Sequence, residues 1–134
     1  MSNVVALICS AALGALELAR ENGLSVPEEV AVVEVPCSGR VDEATVLRTL
    51  RKGARAVLVV GCLMGNCRFS TGNHEAHRNI DEAKHILRQL GLAPERVEII
   101  EVSSIQYVKL VSAMNAMTEQ AERLGPIRLM EGDR

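Results

Sequence analysis

Four short apolar runs alternate along this chain with longer stretches that repeat at helical spacing. Val4 to Cys9, Val30 to Val35, Val57 to Val60 and Val97 to Val102 read as strands. Runs this rich in Val and Ile, apolar at successive positions, indicate strands buried on both faces. Ala11 to Asn22 predicts a helix stopped by Gly23. Asp42 predicts the N-cap of a second helix, which runs to Lys52 and stops at Gly53. A third starts near Asn73 and ends at Gly91. Its apolar positions Ala76, Ile80, Ala83, Leu87 and Leu90 recur in steps of four and three, which is one helical face. Ser103 or Ser104 is expected to cap a last helix through Leu124, ended by Gly125-Pro126.

The element order is therefore βαβαβαβα. Parallel strands need helical crossovers, and right-handed crossovers leave few topologies. The expectation is an α/β fold: a single three-layer domain with a four-stranded parallel sheet in the flavodoxin-like order 2-1-3-4. Residues 1–126 would form that domain and residues 127–134 a loose C-terminal tail.

Composition narrows the function classes. Hydrophobic residues make up 48% and charged residues 24%, a globular balance. Fifteen Lys and Arg stand against 17 Asp and Glu, and one Phe and one Tyr are the whole aromatic complement. A nucleic-acid binder usually carries a basic face and stacking aromatics, so no nucleic acid is expected. No stretch approaches the roughly 18 apolar residues of a membrane span. The start lacks the basic region of a secretory signal, so the expected location is cytoplasmic.

Four cysteines carry the chemistry. Cys9, Cys37 and Cys62 fall at the carboxyl ends of the first three strands, and Cys67 follows in the loop after Cys62. In the order 2-1-3 those strands are neighbours, and open α/β sheets bind ligands outside their carboxyl ends. Buried apolar filler is the plain alternative for any one cysteine. Four thiolates at one edge suit an iron–sulfur cluster or a tetrahedral zinc. Structural zinc favours two tight Cys pairs, whereas a [2Fe-2S] cluster accepts ligands from separate loops more readily. Gly39, Gly61 and Gly65 would let backbone N–H groups approach cluster sulfides, or they serve as plain turn residues. Arg40 and Arg68 would offset thiolate charge, or they are solvated surface cations.

Three sequence blocks resemble the delta subunit family of the methyl-viologen-reducing hydrogenase. Cys37-Ser38-Gly39-Arg40-Val41-Asp42 resembles the family's C-S-G-R-V-D. Gly53-Ala54, then Val57-Leu58-Val59-Val60-Gly61-Cys62 with Gly65, Cys67 and Gly72-Asn73, resembles G-A-x-x-V-L-V-x-G-C-x-x-G-x-C-x-x-x-x-G-N. Pro94-Glu95-Arg96-Val97 and Leu124-Gly125-Pro126 also match, so the resemblance spans nearly the whole chain. It implies a cytoplasmic electron-transfer subunit with a [2Fe-2S] cluster on Cys9, Cys37, Cys62 and Cys67, not catalytic alone. The implied partners are a heterodisulfide-reductase-type flavin and iron–sulfur protein and a hydrogenase or other dehydrogenase subunit, in a hetero-oligomer. Where the family often has a Cys-x-x-Cys at the end of the first strand, this chain has Cys9 and then Ala12. His74 and His77 follow Gly72-Asn73 at helical spacing and are candidate substitute ligands, though surface histidines, like His85, are the simpler account.

Two other chemistries compete. Cys62 to Arg68 is also a Cys-x5-Arg, the phosphate cradle of phosphatases and arsenate reductases, with Cys62 as nucleophile and Arg68 holding the oxygens. That reading leaves Cys9 and Cys37 idle and lacks an Asp-Pro general-acid loop. A nucleotide- or flavin-binding module rests on fold analogy alone, with no Gly-x-Gly-x-x-Gly after any strand. A wire to a partner also needs an approachable surface. The loop from Leu63 to Thr71, with Leu63, Met64 and Phe69, is expected to be covered by that partner.

Overall fold

The computed structural model describes residues 3–62 and 72–127. Strands β1 (Val4–Cys9), β2 (Val30–Val35), β3 (Ala56–Cys62) and β4 (Val97–Val102) form one sheet in the order β2-β1-β3-β4. Every neighbouring pair is parallel. Helices α1 (Leu13–Glu21), α2 (Glu43–Arg51), α3 (Gly72–Gln89) and α4 (Tyr107–Leu124) make the crossovers. The expected α/β architecture and strand order are both observed.

The helices divide between the two faces. Alternate residues of β1 and β3, namely Val4, Ala6, Ile8, Ala56, Leu58 and Val60, pack with α1 and α4 through Ala15, Leu16, Leu110 and Met114. The intervening residues Leu7, Val57 and Val59 pack with α2 and α3 through Val46, Leu50, Ile80 and Leu87. All seven residues of β3 are buried, as a central parallel strand requires. Burying each Val or Leu side chain there contributes about 2 kcal/mol. β2 and β4 depart from the two-sided burial expected of them. They are edge strands, so Val33 and Glu34 of β2 are exposed and the middle of β4 is half-buried.

Element boundaries show where local signals hold. Asp42 caps α2 as expected, its Oδ1 accepting the Thr45 N–H at 2.8 Å and the Thr45 hydroxyl at 2.7 Å. Gly23, Gly53, Gly91 and Gly125 follow α1 to α4 in turn, each with positive φ, which L side chains rarely adopt. Three expectations need correction. The first helix opens with a 3-10 turn at Ser10–Ala12 before α1 begins at Leu13. Leu90 lies past the end of α3 and is 49% exposed, so it leaves the apolar face at the helix stop. Neither Ser103 nor Ser104 caps α4, whose N-cap position is Gln106. The Gln106 side chain instead bends back to accept the Ser103 N–H at 2.9 Å, closing a turn ahead of the helix.

Arg96 locks the amino-terminal end of the sheet. It is buried beside the start of β4, with Nη1 donating to the carbonyls of Arg55 and Gly125, both at 2.9 Å. Nη2 donates to the Leu124 carbonyl at 3.3 Å. The terminal carbonyls of α4 have no partner within the helix, and a cation there also meets the negative end of its dipole. Burial holds the guanidinium pKa below its ordinary value, with the Arg55 charge adding to the effect.

Both locks can be tested by unfolding. Arg96→Leu leaves buried carbonyls unsatisfied and should cost about 2–3 kcal/mol in urea. Asp42→Ala should cost about 1 kcal/mol at neutral pH. The Thr45 hydroxyl and N–H hold the Asp42 carboxyl below its usual range, so its stabilisation is present above the unfolded-state pKa and fades as pH falls through the folded one. Unfolding curves of wild type and Asp42→Ala should therefore converge in acid.

Candidate metal centre

A parallel sheet collects all its carboxyl ends at one edge, and the cysteines stand there. Cys9 is the last residue of β1 and Cys62 the last of β3. Cys9 lies opposite Val35 of β2 in the ladder, while Ile8 pairs with Val60. Cys62 is therefore one residue farther along the strand direction than Cys9, a step of about 3.3 Å. Cys37 stands two residues past the end of β2, where it opens a 3-10 turn at Ser38–Arg40. All three are buried, between 3% and 6% exposed.

They are not equivalent. Cys9 and Cys62 both belong to the apolar cluster beneath α1 and α4. Cys62 reaches it by strand alternation from Leu58 and Val60, and Cys9 reaches it at the point where β1 turns into the 3-10 segment. Cys37 is in neither cluster. Its loop is held from the α3 side, where the Asn79 side-chain amide donates to the Val41 carbonyl at 3.1 Å. Within the loop, the Arg40 and Val41 N–H groups close on the carbonyls of Cys37 and Ser38, both at 3.0 Å. On the β1 side, the Ser10 hydroxyl donates to Glu34 Oε2 at 2.8 Å and ties the turn after Cys9 to β2.

The other candidates separate clearly. Gly61 is buried in β3, directly before Cys62, and Gly39 is half-buried in the Cys37 loop. Arg40 is exposed. Ala12, at the departure from the family pattern, is fully buried in the α1 and α4 cluster. His74, His77 and His85 are exposed, as the simpler account expects. His77 Nε2 lies 2.6 Å from Glu101 Oε2, at the end of β4. That pairing joins residues 24 apart and has no signature in the sequence. Cys67, Gly65, Arg68 and the loop residues Leu63, Met64 and Phe69 lie outside the described residues.

The donor chemistry fits an iron–sulfur group, since thiolates are its usual protein ligands and two of them share one buried cluster. Among the described residues, no group of three or more His, Cys, Asp or Glu side chains is gathered closely enough to hold a metal ion. Among the described residues, too, no helix is long and apolar enough to cross a membrane.

Known proteins share this sequence along nearly all of its length. The chain is 42% identical over 127 residues to the vhu iron-sulfur subunit of the F420-non-reducing hydrogenase of Methanopyrus kandleri, covering 94% of this chain and 96% of that one. Its identity to the protein of the same name in Methanocaldococcus jannaschii is 38% over 124 residues, or 92% of each chain. A larger protein, the A-type subunit of the ferredoxin/F420H2-dependent CoB-CoM heterodisulfide reductase of Methanosarcina acetivorans, is 30% identical over 125 residues. That match takes in 92% of this chain but 16% of the larger one. The family model that matches residues 4–125 is that of the methyl-viologen-reducing hydrogenase delta subunit, from the first strand to the glycine that ends α4, and the chain belongs to that family.

Proposed function

We propose that this chain is an iron–sulfur electron-transfer subunit of a hydrogenase and heterodisulfide-reductase-type complex, carrying a [2Fe-2S] cluster at the carboxyl edge of its sheet. The observation that carries the reading is the placement of Cys9, Cys37 and Cys62 at the ends of three adjacent parallel strands. Relatives named as iron-sulfur subunits of hydrogenases, and one named as part of a heterodisulfide reductase, support the assembly. Cys37, Cys62 and Cys67 are the proposed ligands, with Cys9 as the fourth. When bound, the group accepts and releases single electrons.

The rest of the arrangement serves that role. The apolar cluster around Cys9 and Cys62 keeps water from two of the thiolates and lowers the local dielectric, which tunes a redox centre. Gly61 and Gly39 are proposed to leave room for backbone N–H groups beside ligand sulfurs and Arg40 to bring positive charge near them; Gly65 and Arg68, proposed for the same roles, lie outside the described residues. No general acid or hydride acceptor is among the residues assigned, so the chain relays electrons and depends on its partners for chemistry.

Anaerobic purification should yield about two iron and two sulfide per chain, with broad visible absorption. Cys37→Ser, Cys62→Ser or Cys67→Ser should each lose most of that iron, while a full and unshifted spectrum in Cys9→Ser would strike Cys9 from the ligand set. Stoichiometric zinc without colour would favour a structural four-cysteine zinc site instead. The phosphatase alternative makes the opposite forecast. A Cys62 nucleophile would hydrolyse p-nitrophenyl phosphate without metal and lose all turnover as Cys62→Ser. No turnover above background is expected, and sustained hydrolysis would sink the electron-transfer reading.

A further inference from the structure

The three buried cysteines of the carboxyl edge are not held alike. Cys9 and Cys62 end the two central strands and belong to the apolar cluster under α1 and α4. Cys37 has neither support: it stands two residues past the edge strand β2 and outside both clusters. It is nonetheless only 6% exposed. The turn that it opens has α3 as its principal neighbour and ends at Val41, which α3 holds twice. The Val41 side chain, 1% exposed, shares an apolar cluster with Ile80 and Ala83 of α3. Its carbonyl accepts the Asn79 side-chain amide at 3.1 Å. The Val41 N–H in turn donates to the Ser38 carbonyl at 3.0 Å, next to Cys37.

α3 also reaches across the edge. His77 Nε2 lies 2.6 Å from Glu101 Oε2, and the next residue, Val102, pairs with Cys62. Helix residues two apart point about 200° from each other, so α3 sets one flank on the Cys37 turn and the other on the strand end beside Cys62. The two bonds differ in weight. The His77 pair is exposed and water competes with it, whereas the Asn79 bond is part-buried, and a carbonyl left there without its donor is costly. The residue type matters too. An amide NH2 is a donor, while a carboxylate of the same shape would face the Val41 carbonyl with a second acceptor.

The geometry points to Asn79 as a positioning residue for the proposed cluster: through the Val41 carbonyl it fixes the turn that presents Cys37, and so sets that ligand against Cys62. The role rests on the function proposed above. Asn79 acts through the loop and not on the cluster itself. Bonds behind the ligands tune a metal site, and their loss commonly weakens it about tenfold or more.

The test uses the full-length chain, with Asn79→Asp to remove the donor at constant shape and Asn79→Ala to place a good helix former there. Lys84→Met is the control, because Lys84 ties the far half of α3 to the Pro94 carbonyl at 3.1 Å. In the metal-free chain, iodoacetamide should label Cys37 about five- to tenfold faster in both Asn79 variants, with Cys9 and Cys62 unchanged. In the chain loaded anaerobically, both variants should shift the electron paramagnetic resonance spectrum of the reduced cluster and lose iron to a chelator about tenfold faster. Lys84→Met should match the wild type in both measurements. Wild-type labelling or wild-type spectra in the Asn79 variants, or equal changes in Lys84→Met, would overturn the positioning role and leave the cluster standing. Equal acceleration at all three cysteines would mean a loosened fold and would overturn it too. A wild-type chain that takes up no iron would overturn the proposed function, and the positioning role with it.

Discussion

Burial of a central parallel pair, β1 beside β3, governs the rest of the molecule. β3 is buried along its whole length and β1 at all but Val5, so each needs apolar cover above and below. Strands that run parallel cannot be joined by hairpins, and the crossovers that join them become that cover. The same direction of travel puts every strand's carboxyl end on one edge. Cys9, Cys37 and Cys62 are brought to one edge by topology and not by proximity in sequence.

The two edges of the sheet have taken different tasks. At the amino-terminal edge, Arg96 bonds the end of α4 to the start of β3, and glycines with positive φ turn the chain back toward the sheet. That edge is committed to holding the layers together. The carboxyl edge carries short 3-10 turns after β1 and β2, braced by the Ser10 to Glu34 and Asn79 to Val41 bonds. The turn after β1 runs straight into α1, whereas the turn after β2 closes at Val41, ahead of the Asp42 cap of α2.

Electron transfer through a small protein requires both a sheltered redox centre and close approach to a partner. The apolar cluster around Cys9 and Cys62 would shelter the centre proposed above. β4 ends beside Cys62, and the turn into α4 leaves from that end of the sheet.

Periodicity determined much of this. The four strands, the four helices, their glycine stops, the Asp42 cap and the 2-1-3-4 order are all legible in the sequence, because strand and helix repeats and backbone punctuation are local properties. The convergence of cysteines at one edge follows from those properties once the strands are parallel. What the sequence could not reveal depends on neighbours brought from afar. Only packing decided that Cys9 and Cys62 share a cluster while Cys37 stands outside it, since strand alternation and the turn after Cys9 set which face a side chain joins. Only the tertiary structure paired His77 with Glu101 and buried Arg96 among three carbonyls. The Ser103 N–H could be satisfied by a side chain three residues on as well as by a conventional cap, and α1 packed against that turn in the folded chain through Gly14 and Ser104. A sequence records which groups need partners; the fold determines which partners come within reach.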